Sequence, residues 1–317
     1  MTYPGSRIVS LGHYQPSKIL TNDDLAAMVD TSDEWIRTRV GIQTRRIAES
    51  DETVADMAAA AAEKALAASG LTPADIDTVV VATCSSADRS PNVACRVADR
   101  LGIPSPAAYD INTACSGFCY GLATVDHAIR AGASQRALVI GAEKLSAITD
   151  WTDRSTCVIF GDAAGAAVVV PAETPQSVGI GPVVWGSDPE RSHAVRIEGW
   201  QPFIQQEGQQ VFRWATTQLA PIAQEACRRA GVDPSELAGF VPHQANLRII
   251  EAIARKLGAP NAVIARDIVE SGNTSAASIP VALSKIIERR EIPTGAPVLL
   301  FGFGGGLTYA GQVIRCP

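Results

Sequence analysis

The sequence predicts an α/β protein assembled from two similar halves, and three observations lead there. Short apolar runs alternate with alanine-rich helical stretches along the chain, the pattern of strands and helices layered on one another. The segment Ser69-Gly-Leu-Thr-Pro-Ala-Asp-Ile-Asp77 matches Ala230-Gly-Val-Asp-Pro-Ser-Glu-Leu-Ala238 in character at each position, each between an alanine-rich helix and an apolar strand. A second echo pairs Phe160–Val170 with Phe301–Gly311. The halves are placed at residues 1–175 and 176–317, with 171–208 the most irregular stretch.

Element by element, Met57–Gly70 reads as a helix closed by a glycine, because Gly70 alone there takes a left-handed C-cap without penalty. Its clustered alanines suit close approach in a central layer. Asp77–Thr83, Ala137–Gly141 and Val298–Phe301 are continuous β-branched and aliphatic runs and read as buried strands. Asp110-Ile-Asn-Thr-Ala-Cys-Ser-Gly-Phe-Cys119 joins a strand to a small-residue helix start, with Cys115 at the junction.

Composition bounds the function. The chain has 317 residues, 46% apolar and 19% charged, ample material for a large interior and unlike a disordered segment. A net charge of −6 argues against a nucleic-acid surface. No apolar stretch reaches the roughly 20 residues that span a bilayer, and Met1–Arg7 lacks a basic-then-apolar leader pattern. The seven cysteines form no Cys-x-x-Cys pair, which fits reduced thiols in the cytoplasm and neither a disulfide framework nor a metal site.

Cys115 has a chemical reason to be a nucleophile: at a helix start, unpaired N–H groups and the dipole favour thiolate. Its plainer alternative is a small buried apolar residue. Two further segments weigh on this choice, Phe240-Val-Pro-His-Gln-Ala-Asn-Leu-Arg-Ile-Ile250 and Glu270-Ser-Gly-Asn-Thr-Ser-Ala-Ala-Ser-Ile-Pro280. They add His243 and Asn273, polar groups able to act on a carbonyl oxygen. The other histidines are His13 in an N-terminal turn, His127 within a helix and His193 in the irregular stretch. Gly302-Phe-Gly-Gly-Gly306 lacks dinucleotide-binding spacing, since Leu307 stands where the third glycine belongs.

Together with Thr31-Ser-Asp-Glu-Trp-Ile-Arg-Thr-Arg39, Gly41-Ile42, Phe160-Gly-Asp-Ala-Ala-Gly165 and Phe303-Gly-Gly-Gly306, these motifs resemble, almost end to end, the β-ketoacyl-acyl-carrier-protein synthase III family of the thiolase superfamily. The resemblance implies a five-layered αβαβα thiolase-like fold and an acyltransferase that joins an acyl-CoA primer to malonyl-acyl-carrier protein through an acyl-Cys115 intermediate. It further implies His243 and Asn273 as catalytic partners and the backbone N–H groups of Cys115 and Gly305 as the oxyanion hole. No metal and no permanently bound cofactor are implied; acyl-CoA is a substrate. A homodimer and an acyl-carrier-protein partner are expected, without nucleic acid or membrane.

The same resemblance places CoA on Thr31, Trp35, Arg39, Arg154 and Asn246, where guanidinium groups suit stacking and phosphate pairing. Val40 departs from the threonine often found there. Carrier-protein docking is expected at Arg213, Arg248, Arg255 and Lys256, whose alternative reading is a solvated face. The acyl pocket is assigned to Ser90, contributed across the dimer, with Trp185 and Phe303; Trp200 and Phe203 are further candidates to shape the channel. Ser90 is small where some acetyl-specific members carry an aromatic residue, which points to a larger primer. Competing readings are a transferase that passes the acyl group to another nucleophile, a secondary-metabolite condensing enzyme, a non-catalytic partner on the same fold and, most remotely, a cysteine hydrolase.

Overall fold

The computed structural model describes residues 3–199 and 203–317. Two five-stranded mixed sheets form its frame. The first runs, in spatial order, Ser6–Tyr14, Asp162–Pro171, Ala137–Lys144, Thr78–Ala82 and Ala107–Ile111. The second runs Val184–Gly186, Thr308–Arg315, Pro297–Gly304, Gly239–Pro242 and Val263–Ile264. Parallel and antiparallel neighbours follow in the same sequence in both sheets.

Alternation along the strands sorts side chains into layers, because successive residues face opposite sides of a sheet. Val79, Val81, Leu138 and Ile140 pack with the helices Val54–Ser69 and Val93–Leu101 on one outer side. Val80 and Val139, from the first sheet, meet Val241 and Leu300, from the second, around the central helices Gly117–Arg130 and Ser278–Glu288. Phe240, Leu299 and Phe301 face the opposite outer layer, formed by Gly208–Arg229 and Leu247–Leu257. The result is the expected αβαβα order. The alanine-rich helix begins at Thr53, whose hydroxyl and Asp56 form a capping box, and ends at Gly70 with φ 73°. It lies against the first sheet in an outer layer, not the central one.

Matching elements around the two bends lie 161 residues apart, the interval from Ser69 to Ala230: Thr78 and Gly239 open equivalent strands, and Gly117 and Ser278 open the central helices. Each half carries a short turn, Pro73–Asp75 and Pro234–Glu236, before the matching strand. The echo between Phe160 and Phe301 has a different spacing and does not join equivalent elements: Phe160 precedes the strand Asp162–Pro171, whereas Phe301 lies inside Pro297–Gly304. The structural counterpart of Asn112-Thr-Ala-Cys-Ser-Gly117 is Asn273-Thr-Ser-Ala-Ala-Ser278. Both bend sharply, with Ala114 at φ 45° and Ser275 at φ 46°, and both run through a single 3-10 turn into a central helix. Each bend seats on the other half's sheet. A Cβ on Gly302 would lie 2.8 Å from the Ser116 Cα, and one on Gly141 would collide with the Ala276 carbonyl.

Ala107–Ile111 closes one end of the first sheet, and among the described residues no strand pairs with its outer edge. The loop carrying Ser90 returns beside it, where Asn92 Nδ2 donates to the Ala108 carbonyl at 3.0 Å.

Candidate active site

Cys115 sits in the turn Ala114–Ser116, immediately before the central helix Gly117–Arg130. The strained left-handed Ala114 aims the thiol out of the strand direction and into the space between the sheets. The turn is pinned by Ser116 Oγ, which donates to the Thr113 carbonyl at 2.8 Å, and by Thr308 Oγ1, 2.8 Å from Ser116 Oγ and 3.2 Å from the Thr113 carbonyl. Gly304 is required beside it, since a Cβ there would lie 2.5 Å from the Cys115 Cβ and 2.7 Å from its sulfur. The backbone N–H groups of Gly305 and of Cys115 lower the proton affinity of the sulfur.

Burial dominates the electrostatics. It pushes the Cys115 thiol up to about 11, and the donors from Ser275, Gly305 and Cys115 offset only part of this. The expected pull of the N–H groups toward thiolate is present, and desolvation of the sulfur outweighs it. Burial likewise holds His243 down at about 3, so its imidazole is neutral at physiological pH.

His243 follows the strand Gly239–Pro242, and its N–H extends the ladder to the Phe301 carbonyl at 2.8 Å. Its ring meets Phe303 edge-on at 5.3 Å, and Nδ1 lies 2.8 Å from Ser278 Oγ. Asn273 is buried at the second bend. Its Oδ1 accepts from the Ser275 N–H at 2.8 Å, which leaves the amide NH2 free to donate.

Cys115, His243 and Asn273 line one cavity of about 1190 Å³, together with Trp35, Arg39, Arg213, Asn246, Arg248, Phe303 and Gly305. The same cavity is bounded by Leu145, Phe160, Val195 and Ile204. Ile204 is held in place by its N–H, which donates to the Ile148 carbonyl at 2.9 Å.

Comparison with known proteins covers the segments that carry these residues. The family described as 3-oxoacyl-[acyl-carrier-protein] synthase III matches residues 109–189, and its C-terminal counterpart matches 227–316. β-Ketoacyl-[acyl-carrier-protein] synthase III 2 of Streptomyces avermitilis is 68% identical over 313 residues, covering 99% of both chains. The chain belongs to the synthase III family. Synthase III 4 of Streptomyces coelicolor is 66% identical, over 99% of this chain and 100% of its own. Among solved structures, the priming β-ketosynthase of the R1128 polyketide pathway superposes with TM-score 0.96 at 40% identity, over 100% of this chain and 97% of that one. The synthase III of Aquifex aeolicus gives 0.94 at 41% identity, over 98% and 100% respectively.

Against that family background, the remaining expected residues divide. Trp35 and Arg39 lie four apart on the helix Asp33–Arg39 and face the cavity, and the Arg154 guanidinium stacks 5.3 Å over the Trp35 ring while pairing with Asp30 at 3.1 Å. Thr31 does not line the cavity, and its Oγ1 is buried without a hydrogen-bond partner. Asn246 lines it, but its side chain caps the helix Leu247–Leu257 through Arg248 N and donates to the Arg39 carbonyl at 3.1 Å. Arg213 and Arg248 stand at the cavity, Arg248 over the Phe212 ring at 5.0 Å. Arg255 and Lys256 are exposed farther along the same helix, with Lys256 Nζ 2.6 Å from the Thr216 carbonyl.

Trp185 is a correction. On the strand Val184–Gly186 its neighbour Val184 faces the outer helices, so Trp185 points the other way and stacks on Tyr120 at 5.1 Å, outside the cavity. Phe203 is exposed, Trp200 lies outside the described residues, and Ile204 takes the inward position instead. Ser90 is exposed and does not line its own chain's cavity. His13 belongs to the strand Ser6–Tyr14, not to a turn, and bonds Ser284 Oγ at 2.9 Å.

Sequence reading missed Cys84 and Glu143. Cys84 lines the cavity, and Glu143, wholly buried, accepts from Thr83 Oγ1 at 3.1 Å, Ser85 Oγ at 2.5 Å and the Cys84 N–H at 3.1 Å. This carboxylate fixes the root of the Ser90 loop. Its only sequence signal was a single acid at the end of the apolar run Ala137–Ala142.

Proposed function

We propose that this chain performs the decarboxylating condensation of an acyl-CoA primer with malonyl-acyl-carrier protein, giving a β-ketoacyl-carrier protein. The observation that carries the reading is one cavity holding the Cys115 thiol beside two backbone donors, with neutral His243 and the Asn273 NH2 on its wall. Acylation exchanges thiols: the Cys115 sulfur takes the acyl group and coenzyme A leaves with a proton. The N–H groups of Cys115 and Gly305 stabilise the oxyanion as it forms, a contribution of several kcal/mol for such donors. In the second step the malonyl carboxylate leaves as carbon dioxide, and the enolate oxygen left behind accepts hydrogen bonds from His243 and Asn273. Its carbon attacks the acyl carbonyl, and the Cys115 sulfur departs and is reprotonated.

Trp35, Arg39 and Arg154 would clamp the CoA nucleotide. Arg213 and Arg248 at the cavity, with Arg255 and Lys256 beyond, present cations to an acidic carrier protein. The unpaired outer edge of Ala107–Ile111 supports a homodimer, which would bring Ser90 to the partner's pocket. No permanently bound cofactor is required, and the cytoplasm is the proposed location; among the described residues no helix is long and apolar enough to cross a membrane. The extent of the likeness to the R1128 priming ketosynthase favours a second reading, in which the same condensation starts a polyketide chain.

The test is mass spectrometry of the protein after acyl-CoA and again after malonyl-carrier protein. Acylation on Cys115 followed by a β-ketoacyl product is expected, and Cys115→Ser should form no stable adduct. Acylation without decarboxylation would favour a simple transferase, and an adduct on another cysteine would end the mechanism.

A further inference from the structure

One group in the site has a defined direction that the reaction alone does not explain. Ser278 opens the central helix Ser278–Glu288 and is 1% exposed. Its Oγ lies 2.8 Å from His243 Nδ1 and 3.3 Å from the Gln244 backbone N. A peptide N–H can only donate, so the Ser278 oxygen accepts from Gln244 and its own proton must go elsewhere. Among the described residues the one acceptor in reach of that proton is His243 Nδ1. Were Nδ1 itself protonated, both neighbours would donate to Oγ, and a buried hydroxyl proton would be left with no acceptor.

The duplicated architecture supplies a second observation. At the 161-residue interval between the matching bends and strands, Ser278 corresponds to Gly117 and His243 to Ala82. In the first half that contact is bare packing: a Cβ on Gly117 would lie 2.8 Å from the Ala82 Cβ. In the second half the same point of contact between bend and strand end is built as a hydrogen bond, with the imidazole on one side and the hydroxyl on the other. Gln244 holds the peptide that completes it, through bonds from Nε2 to the Pro242 carbonyl at 2.7 Å and to Oε1 from Ile268 N at 3.1 Å.

We propose that Ser278 is a positioning residue which donates to Nδ1 and so holds His243 with its proton on Nε2, the nitrogen left to face the cavity. The ring is thereby set as a hydrogen-bond donor before substrate arrives, and its second nitrogen is engaged throughout the cycle. The low proton affinity of the buried ring is consistent with this state, since an imidazolium would need an acceptor at both nitrogens. The assignment rests on the proposed condensation for its consequence, though not for its geometry. Acylation of Cys115 does not require the donor, whereas the enolate does.

Two measurements test it. Nitrogen-15 spectra of histidine-labelled protein, assigned through loss of one signal in His243→Ala, should show a single Nε2-protonated tautomer for His243. Ser278→Ala should give a mixture of tautomers, and Ser278→Thr, which keeps the hydroxyl, should restore the single one. In the kinetic arm, Ser278→Ala should lower kcat for condensation on the order of 10- to 100-fold, by analogy with loss of the partner that orients a metal-bound imidazole. KM for malonyl-carrier protein and the rate of Cys115 acylation should stay within about twofold, which also shows that the variant is folded. An Nδ1-protonated wild type, an unchanged tautomer in Ser278→Ala, or undiminished condensation in that variant would overturn the proposal. The spectra need no substrate, so a wild type that fails to condense would count against the proposed reaction while leaving this assignment to be decided by the tautomer.

Discussion

A thiol whose proton is held by burial should betray itself in the pH dependence of its alkylation. Cys115 is pushed up to about 11 from an ordinary 9.0. At pH 7.5 an ordinary thiol is about 3% thiolate, whereas one at 11 is about 0.03%, a ratio of about 100. Iodoacetamide reacts with the thiolate only, so it should label Cys115 about 100-fold more slowly than a cysteine in an unstructured peptide. Restricted access would also slow labelling, and the shape of the profile separates the two. The sign is fixed by the raised value: the neutral form persists well above pH 9, so the logarithm of the rate should climb by one per pH unit from 7 to 10. Peptide-resolved mass spectrometry of labelled protein at intervals of half a pH unit measures it. His243 stands at about 3, so no imidazolium is present at these pH values to sustain an ion pair. His243→Ala should consequently leave the slope unchanged. A plateau beginning below pH 8 would show a preformed thiolate and refute the account of burial given above.

Three other perturbations are open to direct measurement. Ser90→Phe should suppress longer or branched acyl-CoAs while acetyl-CoA turnover falls much less, since a methylene in such a pocket carries about 1–3 kcal/mol of discrimination; a uniform loss across chain lengths would indicate interface damage instead. Gly304→Ala introduces a methyl 2.5 Å from the Cys115 Cβ, so acylation should drop by about 10²-fold as the thiol is displaced, with circular dichroism unchanged; normal acylation would mean the turn yields freely. Glu143→Gln puts an amide NH2 where two hydroxyls and a peptide N–H seek an acceptor, and should cost about 1–3 kcal/mol in urea denaturation; an unaffected midpoint would show that the Ser90 loop is anchored elsewhere.

Legibility in the sequence followed the locality of the cause. The helix closed by Gly70 was readable because cap, alanine run and glycine are all local. The strands at residues 77–83 and 137–141 were readable because both faces of a buried strand must be apolar. Cys115, His243 and Asn273 came from motif resemblance and fall together in space. The protonation of Cys115 was not readable, because it depends on how densely the folded chain surrounds one sulfur. Trp185 was misplaced for a geometric reason: lying near an irregular segment does not say which side of a strand its ring takes, and Val184 settles that only through tertiary contact. Ser278 was present in the quoted segment, yet its relation to His243 spans 35 residues and exists only after two elements meet. The echo starting at Phe160 showed that similar glycine-rich wording need not mark equivalent positions.

The reciprocal seating of the two bends, Gly302 under Ser116 and Gly141 under Ala276, gives the backbone an approximate twofold axis with room, in principle, for two reaction centres. The side chains cancel one of them. Where the first bend carries Cys115 the second carries Ala276, and where the second half offers His243 the first offers Ala82. The mirror position thus holds Asn112 alone, without a sulfur or an imidazole. A symmetric scaffold has been made directional by subtraction: one half keeps the proposed nucleophile, the other keeps the proposed donors, and neither half contains a complete set. Either half by itself would expose a glycine-lined seat and lack half the proposed chemistry, even where it retained its sheet.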